Sequence, residues 1–140
     1  MTERSVDRIA DRVAIEELLH RYAWAMHDRD WTTWTACFAD GGTADYSTAG
    51  GPSGPATAAA EWLAQTMAVF DVAISHVGNI TVEFAGDGAA TARSLYKMVM
   101  RIAGDPPTYM EACGWYADDL TRSADGWRIA HRLEQLLYVR

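Results

Sequence analysis

Between Ala14 and Met26 the apolar residues Ile15, Leu18, Leu19, Tyr22, Ala23 and Met26 recur at spacings of three and four. That is the period of one face of an α-helix. Tyr22 falls inside the stripe, which aims its phenol at the interior. His27 and Asp28 follow at the helix end, and Trp31 and Trp34 open a second, short helix reaching Phe38, stopped by Asp40-Gly41-Gly42. Upstream, Val6, Ile9, Ala10 and Val13 make another stripe, with Ser5 placed to cap its first turn. At about 100° per residue the two stripes are out of phase. The pattern therefore predicts a break near Ala10–Arg12, with Asp11 as a new N-cap.

Thr43–Ser47 reads as a short strand, and Thr48–Pro55 as a turn-rich, mobile loop. Pro55 suits the first position of a third helix running to Val69. From Val72 the period changes to two: Ile74, His76, Ile80, Val82 and Phe84 share one face, and Ser75, Val77, Asn79, Thr81 and Glu83 the other. Gly86-Asp87-Gly88 turns the chain into a return strand, Ala90–Ala103, with Ala92, Tyr96, Met98, Met100 and Ile102 on one face. Strands over Tyr109–Arg122 and Trp127–Tyr138 complete a meander. Helices followed by antiparallel strands predict an α+β fold, one domain over 1–140. Its helices pack in the concave face of a strongly curved, mostly antiparallel sheet, a cone-shaped α+β barrel. Ile74, His76, Met98, Met100 and Trp127 are expected to face inward, around a pocket that side chains do not fill.

Composition narrows the partners. The chain has 140 residues and a net charge of -7, which argues against nucleic acid or an anionic membrane surface, since both require a basic face. No apolar run approaches the roughly 20 residues of a membrane span. The N-terminus, MTERSVDRIADR, lacks the apolar core of a signal peptide. Cys37 and Cys113 form neither a metal spacing nor a disulfide framework, as in a cytoplasmic protein. His20 and His27 share a helix face without a supporting HxxxH, HxH or carboxylate cluster, so no metal is expected. No phosphate-binding glycine motif points to a nucleotide cofactor. The expected partner is a small, apolar organic molecule.

Three stretches carry a family resemblance: RYAWAMHDRDW at 21–31, ISHVGNITVEFAGDGAATARS at 74–94 and GWYADDLTRSADGWRIAHR at 114–132. They resemble the SnoaL-like group of the nuclear-transport-factor-2-like superfamily. Relatives in that group include dehydratases, isomerases, polyketide cyclases, a dehydrochlorinase, dioxygenase small subunits and non-catalytic binders. The likeness to scytalone dehydratase and the dehydrochlorinase implies an aspartate at the end of the first helix, paired with a histidine on the strand after the third. His76, in SHVGN, matches the histidine. Counted back from Trp31, the aspartate position falls on His27, with Asp28 one residue beyond. Asp45-Tyr46 match the strand whose tyrosine binds substrate. The tyrosine before the aspartate is Met26 here, and a second histidine position falls near Met98 or Met100.

These residues define a candidate site. A neutral His76 oriented by a carboxylate is a general base suited to neutral pH. Asp28 would orient it if the helix unwinds at His27; His27 itself is the alternative. Tyr22 and Tyr46 can donate hydrogen bonds to a substrate oxygen, and Met98, Met100 and Tyr116 would line the cavity, with Tyr96 and His131 as lesser candidates. The expected activity is a cofactor-independent, dehydratase-like elimination, with isomerisation or polyketide-type cyclisation as alternatives. A non-catalytic binder or accessory subunit is the rival from another class. Trp115, in an outward row with Glu111, Cys113 and Asp119, suggests a homodimer.

Overall fold

The computed structural model describes residues 3–140, with side chains from residue 7 onward. Glu3–Asp28 form one uninterrupted helix, α1, so the break expected at residues 10–12 is not there. The reason is that Ile9 and Val13 remain 52% and 49% exposed. Only the Ile15–Met26 stripe enters the core, and the helix has no cause to bend. Ser5 lies within the helix, not at its cap, and the Val6 side chain falls outside the described residues. Asp11 is no cap either. It is buried, accepts the Trp127 Nε1–H at 3.1 Å and pairs with Arg122.

Asp30 caps the short helix α2, Trp31–Ala36, by accepting the Thr33 N–H at 3.0 Å. Phe38 then opens strand β1, Phe38–Asp45, where a helix end was expected. Asp40-Gly41-Gly42 do not stop a helix; they sit within β1, where pairing to the last strand shifts register and Gly41 adopts a positive φ of 70°. A 3-10 turn, Ser47–Ala49, and strand β2, Ser53–Pro55, structure the following loop. Pro55 precedes helix α3, Ala56–Met67, which it introduces from the capping position.

Four long strands follow: β3 (Val72–Phe84), β4 (Ala89–Ile102), β5 (Thr108–Ser123) and β6 (Gly126–Val139). The sheet runs β2-β1-β6-β5-β4-β3. Its β1–β6 pair is parallel and the others are antiparallel. It stays open, with β2 and β3 at its edges. The helices cover its inner face, giving an α+β fold. Ile15, Leu18, Leu19, Tyr22 and Met26 of α1 are buried with Trp34, Phe38, Tyr116 and Ile129. Each fully buried Leu or Ile adds about 1.5–3 kcal/mol to the drive for folding.

Two bulges decide which side chains face inward. Across β3 and β4, Ser75 stands opposite Met98, His76 opposite Lys97, and Val77 opposite Tyr96. Residues directly opposite share a face. Ala73, Ser75 and Val77 therefore lie on the inner side with Met98 and Tyr96, while Ile74 and His76 lie on the outer side with Lys97, contrary to the sequence expectation. An extra residue enters β3 between Gly78 and Thr81, where Asn79 takes a left-handed φ of 50°. Beyond it the parity flips, and Val82 and Phe84 face in. A second extra residue lies between Ile129 and His131 of β6. Trp127 and Ile129 point inward before it, and Arg132 and Glu134 after it. His131 and Leu133 turn outward. Met98, Met100 and Trp127 are buried, as their strand patterns require.

Candidate functional site

The inner ends of β4, β5 and β6 enclose a cavity of about 190 Å³ beneath α3 and the 3-10 turn. Met67, Met98, Met100 and Met110 line it together with Trp62, Tyr46, Tyr96 and Tyr116. Unbranched, polarisable thioethers and aromatic faces make a wall suited to flat apolar molecules. Since a cavity of about 150 Å³ accommodates benzene, this one has room for a single ring.

One carboxylate enters that wall. Glu134 is 2% exposed. Its Oε1 accepts the Thr48 hydroxyl at 2.7 Å, and its Oε2 accepts the Tyr96 hydroxyl at 3.1 Å. Thr48 in turn accepts the Leu136 N–H at 2.9 Å, tying the 3-10 turn to β6. Among the described residues no cation pairs with Glu134. Burial pushes its pKa above the ordinary glutamate value, and the hydrogen bonds from Thr48 and Tyr96 oppose that rise in part. Burial, reinforced by the neighbouring Glu134, likewise keeps Tyr96 protonated. A carboxyl poised this way can take a proton and return it.

Behind the wall lies a column of rings around one cation. Arg132, fully buried, donates from Nε and Nη2 to the two oxygens of Asp118, each at 2.7 Å. Its guanidinium carbon sits 4.1 Å from the centre of the Tyr22 ring and 3.9 Å from that of Tyr116, the geometry of a cation held between aromatic faces. Tyr116 stacks on Tyr96 with centroids 4.7 Å apart. Tyr22 is also buried, and its hydroxyl is hydrogen-bonded to that of Tyr46. Tyr46, Tyr116, Met98 and Met100 thus meet in one cavity, and Tyr22 stands one layer behind it.

The histidines lie elsewhere. His27, in the last turn of α1, donates from Nδ1 to the Ala73 carbonyl at 2.8 Å. With His20 and Trp24 on the same helix face, it flanks an open groove of about 350 Å³ along β3, which His76 also lines. His76 is exposed on the outer side of the sheet and does not reach the methionine-lined cavity. Asp28 is exposed and, among the described residues, bonds to neither His76 nor His27. His131 lies outside the cavity, with Nδ1 2.6 Å from the Thr43 hydroxyl. Among the described residues no three His, Cys, Asp or Glu side chains converge as a metal site, and no helix is long and apolar enough to cross a membrane.

Uniform alternation along β6 places His131 and Leu133 inside and so hides Arg132 and Glu134, whereas Asp118 of β5 shares the inward parity of Tyr116 and is legible as a buried carboxylate. The available signal was an arginine and a glutamate two apart in a strand otherwise rich in apolar residues. Only the bulge before His131 tells which parity holds.

The model of the SnoaL-like domain matches residues 7–133 of this chain. A Mycobacterium tuberculosis protein described as uncharacterized is 35% identical over 130 residues, covering 93% of this chain and 88% of its own. Among solved structures, a candidate scytalone dehydratase from Novosphingobium aromaticivorans superposes with a TM-score of 0.86 at 17% identity, over 97% of this chain and 90% of its own. The type 3 hexachlorocyclohexane dehydrochlorinase of Novosphingobium barchaimii gives 0.80 at 14% identity, over 97% and 92%. At such identities these two establish the fold. The family match spans most of the sequence, and the chain belongs to the SnoaL-like family.

Proposed function

We propose that this protein is a cofactor-independent enzyme of the lyase or isomerase type, acting on a small apolar organic molecule, with Glu134 as its proton-transferring group. The observation that carries this reading is a buried carboxyl that, among the described residues, pairs with no cation and is set into a wall of methionines and aromatic rings, where burial raises its pKa. The names of the two structural neighbours, a dehydratase and a dehydrochlorinase, both denote eliminations and favour that reaction class.

In an elimination the Glu134 carboxylate takes a proton from carbon. The C–H electron pair becomes the new double bond, and the leaving group departs with its own bonding pair. Where that group is hydroxide, protonated Glu134 returns the proton, releasing water and regenerating the carboxylate. In an isomerisation it returns the proton to a different carbon. Tyr46, which lines the same cavity, donates a hydrogen bond in this reading to an oxygen that gains charge on the way.

The test is turnover of a panel of small hydroxy- and keto-compounds. Glu134→Gln is expected to lower kcat/KM by about 100-fold or more, with His76→Ala within about threefold of wild type. The reverse outcome would move the chemistry to the His27–His76 groove, the second reading, whose support is that both residues match family positions and line one groove. Saturable ligand binding without turnover would identify a binder. A homodimer through the outer sheet face belongs to the same proposal: Arg93 lies over the Trp115 ring at 5.1 Å beside exposed Leu95. Sedimentation at micromolar concentration tests it.

A further inference from the structure

The two carboxylate oxygens of Glu134 are held by different parts of the fold. Tyr96, whose hydroxyl donates to Oε2 at 3.1 Å, lines the cavity. Thr48, whose hydroxyl donates to Oε1 at 2.7 Å, is exposed and stands outside the cavity wall. The carboxyl therefore bridges the ligand space and the outer surface, with one oxygen committed to each.

The Thr48 hydroxyl is itself fixed in direction. Its oxygen accepts the Leu136 N–H at 2.9 Å, which turns its single proton the other way. Two acceptors are in reach, Oε1 at 2.7 Å and the Glu134 carbonyl at 3.1 Å. Oε1 is the nearer and carries charge when Glu134 is ionised, so the proton goes there. The turn that presents Thr48 is closed by its own bonds. Asp45 Oδ1 accepts the Ser47 N–H at 2.9 Å, and the Tyr46 N–H donates to the Pro52 carbonyl at 2.9 Å. Gly50 ends the turn at a positive φ of 86°, a conformation that a side chain would strain. Thr48 thus reaches Oε1 from a rigid base.

We propose that Thr48 is a positioning residue that ties down Oε1 of Glu134 from outside the cavity and leaves Oε2, beside Tyr96, as the oxygen that exchanges a proton with the ligand. The ligand class this fits is a compact ring whose acidic C–H or O–H points to the Tyr96 end of the carboxyl, with its apolar body against the methionines. Without Thr48 the carboxyl is free to rotate about its last bond, and the proton-accepting oxygen loses its fixed place. The inference deepens the reading of Glu134 given above and takes its catalytic meaning from it.

The experiment follows the Glu134 carboxyl carbon by NMR in isotopically labelled protein, its resonance assigned by its loss in Glu134→Gln. Thr48→Val removes the hydroxyl with little change of shape, and Thr48→Ser restores it. Taking a donor from the ionised form raises a carboxyl pKa. Thr48→Val should raise that of Glu134 by about one unit, a tenfold change in its ionisation, while Thr48→Ser keeps it near wild type. A merely structural role for Thr48 would move the melting temperature and leave this pKa in place. The other groups facing the carboxyl are common to all three proteins. They are Tyr46, Tyr96 and Tyr116 in the wall, Arg132 behind the Tyr116 ring, and Asp45, whose charge adds to the rise; the α3 side chains of the wall do not titrate.

Phenol, with one O–H to give, then marks the oxygen that faces the ligand. At saturation it should lower the Glu134 pKa equally in wild type and Thr48→Val, because it donates to Oε2 and Thr48 to Oε1. An unchanged Glu134 pKa in Thr48→Val overturns the proposal. So does phenol that acts only once Thr48 is gone, since that places the ligand on Oε1, and so does phenol that leaves the wild-type resonance unmoved at millimolar concentration. Should Thr48→Val fail to fold, Thr48→Ala decides. Failure of Glu134 as the base shows instead as full turnover in Glu134→Gln, and these shifts do not depend on it.

Discussion

The Tyr96 hydroxyl reaches Glu134 at 3.1 Å, and the carboxylate it holds is buried with, among the described residues, no cation to balance it. Folding therefore favours the protonated carboxyl. A group whose pKa rises on folding contributes stability that is fully present below its unfolded pKa and is lost as pH climbs through its folded one. Glu134→Gln, which mimics the neutral form, should match wild type in melting temperature near pH 4 and exceed it increasingly toward pH 8. Thermal scans across that range check it; a gap that closes with rising pH would contradict the assignment. The same carboxyl acting as a base predicts kcat/KM rising with pH through a value above the ordinary glutamate range.

The Asp118–Arg132 pair sits wholly inside the protein, so removing one partner strands the other charge. Asp118→Asn should cost about 3–5 kcal/mol in urea unfolding. Replacing both with apolar residues should cost far less, because no uncompensated charge remains. A mild Asp118→Asn variant would mean that water reaches Arg132.

Asp11 bonds to Trp127 from the first turns of α1, tying the helix to the beginning of β6. Asp11→Ala leaves the indole N–H without an acceptor and should cost about 1–3 kcal/mol, with altered Trp127 fluorescence. The Arg122 partner is partly exposed and adds little of its own. Asp11→Asn, still an acceptor, should lose less.

Gly114 lies where β5 meets a register shift in β6. A Cβ there would press on the Gln135 carbonyl and stand 2.8 Å from the Tyr96 ring and hydroxyl. Gly114→Ala should therefore destabilise the protein by about 1–3 kcal/mol. It should also disturb Tyr96 enough to weaken binding of a small aromatic compound in the cavity, a joint effect that unfolding curves and ligand titration can separate.

Much of this architecture is legible in the chain. The Ile15–Met26 stripe gives the buried face of α1, and alternation gives the inner faces of β4 and β5, including Met98, Met100, Tyr96 and Tyr116. What is not legible depends on a residue more or less. No pattern marks the extra residues in β3 and β6, yet each reverses every side chain beyond it. His76 went to the outer face for that reason, and Glu134 came inside. The unbroken α1 was hidden for a different reason. A helix can leave Ile9 and Val13 in water at modest cost, so two stripes do not require two helices.

The left-handed Asn79 carries a consequence for how such chains are compared. If β3 slid by one residue and absorbed its bulge, His76 would stand opposite Met98 and Ser75 would turn to solvent, with no letter of the sequence altered. The register seen here, with its extra residue at the left-handed Asn79, turns Ser75 inward and His76 outward. Two proteins aligned perfectly through SHVGN can therefore present different chemistry to their cavities, and an aligned histidine is not by itself a shared one.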